Sequence, residues 1–333
     1  NGDSIIFVFD RDAATGELTL DTTFQNGVDG VTDMAFPSDL LITPDGAHVY
    51  VVSESDDSIV VFNRDADTGD LAFSKSFVDG VDGLIQTGLD TFAVLDGAAG
   101  TEGLTGDGQS LVASEFDQFV VYDRNPATGD LTFVEAFADP TKSSPIAGAT
   151  LIDGLFNLVR SASSSDGATV YIPGEERDTL HVFSHNSATS DLALIQQVQD
   201  GDGGVDGLSD AVASVVSPDG RHVYTLGHTD EAVAIFDRDA QTSELTFIDV
   251  IKQTDAGVEG AAMPSGLSMS ADGLDVYVYA QAFNFDTIAV FRRDPATGAL
   301  AFVQLIEDGA GGVDGLDGVA DVAASPDGSH VYA

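Results

Sequence analysis

Between Asp210 and Ile251 the chain alternates apolar runs with polar turns: "DAVASVVS", the turn "PDG", "HVYTLG", the loop "HTDE", "AVAIFD", the turn "RDAQTSE" and "LTFIDVI". The runs are short, rich in Val, Ile, Phe and Tyr, and bounded by Asp-Gly or Thr-Gly/Ser turns, which is hairpin chemistry. No segment sustains the 3.6-residue period of an amphipathic helix. The pattern predicts four short antiparallel strands.

The same unit recurs along the chain. "FDRDAATGELTL" at Phe9 returns at Phe62, Tyr122, Phe183, Phe236 and Phe291, ending with "FRRDPATGALAF". A second phrase interleaves with it, from "TPDGAHVY" through "SPDGRHVY" to "SPDGSHVY". A four-strand unit repeating every 50 or so residues is the sequence form of a propeller blade. The expected fold is therefore an all-β, six-bladed β-propeller in one domain, with units near 31–83, 84–140, 141–204, 205–257 and 258–316. The sixth blade is expected from both ends, residues 1–30 plus 317–333, closing the ring and removing open sheet edges. A fragment of a longer blade array is the alternative, and the start at Asn1 reads as a mature form or an excised piece.

The "SPDG-x-HVYV" phrase, the "VF-x-RD-x-x-TG-x-L" hairpin and their four-strand spacing resemble the lactonase-type (YVTN-like) β-propellers over nearly the whole chain. The resemblance implies the propeller architecture, with seven blades usual where six are legible here. It also implies relatives that include sugar lactonases and muconate-lactonising enzymes beside surface proteins. The catalytic His, Arg or Glu of those enzymes cannot be placed on matching motifs of this sequence.

Charge changes the picture next. The chain carries 56 acids against 12 Lys and Arg, a formal net charge of −44, and 45 of the acids are Asp. Such a surface repels nucleic-acid phosphates and anionic lipid, and no apolar run approaches a membrane span. The absence of Cys excludes disulfides and thiolate metal sites.

In a propeller the "PDG" and "RDxxTG" turns share one face, and the loops between strands two and three share the other with the blade-to-blade connections. The recurrent Arg11, Arg64, Arg124, Arg238 and Arg293 read as structural partners of turn acids. His48, His222 and His330 read as repeat residues. Each connection carries an acid followed by Gly: Asp29, Asp82, Asp153, Asp206, Glu259 and Asp314, with Asp200, Asp202 and Asp308 preceding and Asp210 and Asp317 following. A further series, Asp57, Asp117, Asp178, Glu231 and Asp286, opens the third strands. Carboxylates in Gly-rich loops without Cys suit calcium, although "QDGDGGVDGL" at 199–208 completes neither the EF-hand nor the calcium nonapeptide pattern. Bound calcium, plain turn chemistry and a halophilic-type surface all account for the acids.

Symmetry breaks on the same face. Insertions at 84–104 and 138–155 lengthen two connections, "GEERD" brings Glu175, Glu176 and Arg177 into a loop, and "YAQAFNFD" brings Tyr279, Phe283 and Phe285. These are candidates for contacting a protein or carbohydrate ligand, the aromatics by stacking or by capping the blade. His228, beside Asp230 and Glu231, is the one His expected there as a base or ligand. The expected function is a calcium-stabilised binding or structural module, alone or within a larger assembly, located extracellularly, in the periplasm or at the cell surface. The alternative is a divalent-metal-dependent hydrolase or lactonase with its site at the acidic channel mouth.

Overall fold

The computed structural model describes residues 4–11, 18–53, 55–78, 108–115, 118–141, 146–155, 161–255, 263–280, 286–316, 318–319, 321–325 and 328–333. Its strands run in chain order through seven sheets. The first pairs β1 (Ile5–Arg11) with β2 (Leu18–Gln25). The second orders β3 (Pro37–Ile42), β4 (His48–Ser53), β5 (Ser58–Arg64) and β6 (Leu71–Val78). The third holds β7 (Ser110–Glu115), β8 (Gln118–Arg124) and β9 (Leu131–Ala138), with β10 (Thr150–Leu151) added in parallel outside β9. The fourth comprises β11 (Ala162–Ser163), β12 (Thr169–Gly174), β13 (Thr179–Asn186) and β14 (Asp191–Gln199), with a 3-10 turn, η1 (Glu175–Arg177), between β12 and β13. β15 (Ala211–Val216), β16 (His222–Gly227), β17 (Ala232–Arg238) and β18 (Leu245–Lys252) form the fifth, and β19 (Pro264–Met269), β20 (Asp275–Ala280), β21 (Thr287–Arg293) and β22 (Leu300–Glu307) the sixth. The last pairs β23 (Ala323–Ala324) with β24 (Val331–Tyr332).

This is the all-β organisation in four-stranded sheets that the repeat predicts, antiparallel throughout except for β10, with a further difference at the ends. The end strands do not share a sheet: β1–β2 and β23–β24 stand as separate two-stranded sheets.

The apolar alternation explains how neighbouring sheets join. On β5, Ile59 and Val61 pack with Tyr50 of their own sheet and with Leu111 and Tyr122 of the following one, whereas Val60 and Phe62 pack with Ile6 and Met34 on the preceding side. Similar clusters join each described sheet to the next. Phe62, Phe183, Phe236 and Phe291 occupy one repeat position and are almost fully buried, each stabilising the fold by about 2–3 kcal/mol. A bulge precedes that aromatic in every third strand, including Val8/Phe9, Ile235/Phe236 and Val290/Phe291. A repeated bulge adds the same local twist to each sheet.

The end sheets lack half of this cover. Phe7 and Phe9 hold the positions of Val60 and Phe62 yet are 55% and 48% exposed, and Tyr332 is 55% exposed where Tyr50 and Tyr224 are buried.

At the turn face, arginines tie one sheet to the next. The Arg293 Nη2 donates to both Asp219 carboxylate oxygens at 2.9 Å and to His222 Nδ1 at 2.7 Å. Its Nε donates to the Tyr224 hydroxyl at 3.0 Å, and that hydroxyl donates to the Gly298 carbonyl at 2.8 Å. Arg124 repeats the arrangement with Asp45 and His48. The reading of these residues as partners of turn acids holds for both, and the pairs cross from one repeat to its neighbour. Arg238 makes a longer contact to Asp166, 3.7 Å, and donates to Thr169 and Ser243. For Arg64 the described partner is the Gly46 carbonyl within its own sheet.

Candidate functional site

The acid-Gly connections are corners built on left-handed backbone. Gly30, Gly154, Gly207 and Gly315 have φ of 89°, 92°, 95° and 106°, values that a side chain resists. The corner also packs tightly: a Cβ on Gly227 would lie 2.4 Å from the Gly207 carbonyl oxygen, and one on Gly174 would lie 2.3 Å from that of Gly154. Left-handed backbone also recurs at acids around these corners, although of the acid-Gly acids themselves only Asp29 shows it among the described residues. Asp29, Asp33, Asp57, Asp178, Asp210 and Glu231 all have φ between 46° and 58°, a region that Asp tolerates better than most residues.

Several acids around these corners cap neighbouring amides. Asp200 Oδ1 accepts from the Leu208 N–H at 3.0 Å, and Asp178 Oδ1 from the Asp210 N–H at 2.8 Å. Asp308 Oδ1 accepts from both Gly315 and Leu316 at 2.8 Å. Buried Asp139 accepts from Gly154 and Thr141. Of the acids expected to bind metal, Asp29, Asp153, Asp202 and Asp314 are exposed, while Asp200, Asp206, Asp210 and Asp308 are partly buried. Asp82, Glu259 and Asp317 lie outside the described residues.

The structure gathers Asp200 and Asp206 with Asp230, offering carboxylate oxygens within 4.8 Å of one another. Asp202 is not in that group. A cationic side chain joins it: Lys252 Nζ lies 2.8 Å from Asp206 Oδ1. The hydrogen bond to Asp206, with the charges of Asp206, Asp230 and Asp200, raises the Lys252 ammonium above its ordinary range. Sequence reasoning missed this lysine, although its place at the end of a fourth strand, beside an acid-Gly corner, was available as a signal.

A second convergence lies where the fourth and fifth sheets meet. η1 presents Glu175, with Glu176 and Arg177 exposed beside it. Burial raises the Glu175 carboxyl above the usual range, the charges of Asp210 and Glu176 add to that, and His228 opposes it. The loop after β16 presents His228, whose amide donates to the Asp210 carbonyl at 2.9 Å. His228 Nδ1 lies 2.9 Å from the Pro264 carbonyl oxygen. A carbonyl only accepts, so Nδ1 carries the proton and Nε2 of the neutral ring keeps its lone pair. A small cavity of about 10 Å³, lined by Leu226, Glu231, Val233, Gln253, Pro264 and Phe291, lies alongside. The sequence named His228 and the Glu175–Arg177 loop separately, and the fold brings them together.

Arg177 faces Asp153 at 3.5 Å. Tyr279, named as a stacking residue, is instead fully buried in the cluster joining the sixth sheet to β23, with its hydroxyl 3.4 Å from Asp321 Oδ1. The alternation of β20 turns it inward, which is the blade-capping role. Phe283 and Phe285 lie outside the described residues.

Solved structures match the fold closely. A candidate 6-phosphogluconolactonase of Bacteroides fragilis aligns with a TM-score of 0.68 and 18% identity, over 99% of this chain and 83% of that one. The periplasmic gluconolactonase PpgL of Pseudomonas aeruginosa aligns at 0.63 and 23% identity, over 91% and 77%. Kuenenia stuttgartiensis hydrazine synthase aligns at 0.56 and 15% identity, over 93% and 76%. At these identities the likeness establishes the fold alone. No curated protein matches the chain in sequence. The family described as lactonase, 7-bladed β-propeller matches residues 2–82 and 160–307, more than half of the sequence, and the chain belongs to that family.

Proposed function

We propose that this chain hydrolyses a lactone of a sugar acid at the corner formed by η1, Asp210 and the His228 loop. The observation that carries the reading is the His228 ring, fixed by its Nδ1 proton on the Pro264 carbonyl with Nε2 left as a base beside Glu175. Nε2 takes a proton from water as the oxygen attacks the lactone carbonyl, and the imidazolium returns it to the departing ring oxygen. Water and lactone become one open-chain hydroxy acid. Glu175 is a positioning residue whose negative charge favours the imidazolium. Family membership supports the same chemistry.

The test is proton release from glucono-1,5-lactone above the spontaneous rate. His228→Asn is expected to lower kcat by about 100-fold or more with the melting temperature unchanged. A parent chain no faster than buffer overturns the proposal.

The Asp200–Asp206–Asp230 group favours a second reading, in which the connections hold calcium and the chain is an extracellular or surface module binding protein or carbohydrate. Lys252 competes with any cation there. Under this reading Lys252→Met tightens calcium binding in calorimetry, and EDTA lowers the melting temperature. Stabilisation by NaCl alone, with no calcium heat, removes the reading.

For the ring we propose six blades, closed by β24 against β1. By analogy with Val49↔Phe62 and Tyr50↔Val61, Val331 pairs with Phe9 and Tyr332 with Val8. Arg64 then meets His330 and Tyr332 as Arg293 meets His222 and Tyr224. If Arg64→Met destabilises as much as Arg293→Met, the ring is closed; a negligible effect means that it is open.

A further inference from the structure

We infer that the lactone taken at this corner is uncharged, and that a phosphorylated sugar lactone is excluded from it. The inference rests on the hydrolase reading and concerns its substrate. A phosphate-bearing substrate needs cationic side chains or clustered amides to offset its charge, and among the described residues the cations are committed to other partners.

Twelve Lys and Arg serve the whole sequence. Arg11, Arg64, Arg124, Arg238 and Arg293 end third strands at the turn face, opposite the His228 loop. Arg221 follows the "PDG" turn there, Arg292 pairs with Asp275 at 3.1 Å, and Lys75 pairs with Asp130. Lys142 and Arg160 lie outside the described residues. Among the described residues, that leaves Arg177 and Lys252 on the same side as His228. Each already faces a carboxylate, Asp153 at 3.5 Å and Asp206 at 2.8 Å.

Acids dominate the remainder of the corner. Glu175, Glu176 and Asp210 act on one another electrostatically, and Asp200, Asp206 and Asp230 surround the Lys252 ammonium. The neighbouring amides of Leu208, Ser209 and Asp210 are taken by Asp200, Asp230 and Asp178. Among the described residues a phosphate dianion would meet repulsion without a donor set to replace its water. An uncharged polyol lactone meets acceptors for its hydroxyls.

The experiment compares kcat/KM for glucono-1,5-lactone and its 6-phospho derivative at low and high NaCl. The uncharged lactone is expected to be favoured by about 10- to 1,000-fold at low ionic strength. The gap should narrow as the Debye length shrinks from about 10 Å at 0.1 M to about 3 Å at 1 M. Equal or better use of the 6-phospho lactone overturns the inference while leaving the hydrolase reading intact. A preference that ignores salt overturns its electrostatic cause. Hydrolysis of neither lactone overturns the underlying reading instead.

Discussion

Arg293→Met is the sharpest test of how the sheets are held together. Arg293 is 3% exposed, and its guanidinium donates to Asp219, His222, Tyr224 and the Gly273 carbonyl. Met fills much of the same volume, so the packing loss is small and the lost hydrogen bonds dominate. The substitution leaves His222 Nδ1 buried without its donor. It also removes the counter-charge from Asp219, whose side chain is 37% exposed. Breaking a buried ion pair costs about 3–5 kcal/mol, and the partial exposure of Asp219 reduces this to roughly 2–3 kcal/mol. For a chain of this size that lowers the melting temperature by about 3–4 °C. Urea unfolding provides the free energy, and a cycle with Asp219→Asn isolates the pair, for which coupling of about 1–2 kcal/mol is expected. Arg293→Lys should recover the attraction to Asp219 but not the planar, several-way geometry, and should fall between parent and Met. A loss below about 0.5 kcal/mol, or additivity in the cycle, would refute the claim that these arginines join the blades.

Burial, followed by the charges of Arg293 and Arg124, lowers the His222 and His48 imidazoles below 6.5. The unfolded chain therefore binds protons more readily below 6.5, and stability present above that pH declines as pH falls towards the folded values. Melting at pH 7.5 and 5.5 should show this loss, and His222→Gln should shrink it. Against the burial that raises it, hydrogen bonds from Thr43 and Arg124 hold the Asp45 carboxyl at about 2. Its contribution is present above 3.8 and disappears as pH falls through about 2, so Asp45→Asn should flatten the acid limb of the stability curve. Gly227→Ala forces a Cβ to within 2.4 Å of the Gly207 carbonyl and should cost about 1–3 kcal/mol in thermal or urea unfolding. An unchanged midpoint would show that the corner yields.

The strands were legible because each repeat writes its apolar runs and turns in the same order. The reading of 210–251 anticipates β15 to β18, with boundaries of Ala211–Val216, His222–Gly227, Ala232–Arg238 and Leu245–Lys252. The arginine ties were half legible. Their pairing with turn acids follows from composition, but an Arg reaches the Asp of its own repeat or of the one before equally well on paper. Sheet packing decides between them. The pairing of His228 with Glu175 depends on how far η1 reaches toward the next sheet, which no spacing records. Separate end sheets were not legible either, because the repeat describes what each strand prefers and not whether two distant half-sheets meet.

The acids make the same point about cause. Forty-five aspartates look like a demand for cations, yet at Asp29, Asp33, Asp57, Asp178 and Asp210 the backbone is left-handed. At Asp178, Asp200, Asp230 and Asp308 the carboxylate accepts an amide of a connection. Both roles select Asp over Glu, because a short side chain reaches its own turn. Turn geometry therefore explains why the residue is Asp, while the formal charge of −44 is its electrostatic consequence. Asp206 is the informative exception. Its partner is the Lys252 ammonium, so an Asp206→Asn, Lys252→Met pair tests charge without disturbing the Asp200 and Asp230 caps. If the double variant matches the parent in stability and binds no calcium, the corner needs neither cation. If it loses stability that added calcium restores, the acids act as ligands after all.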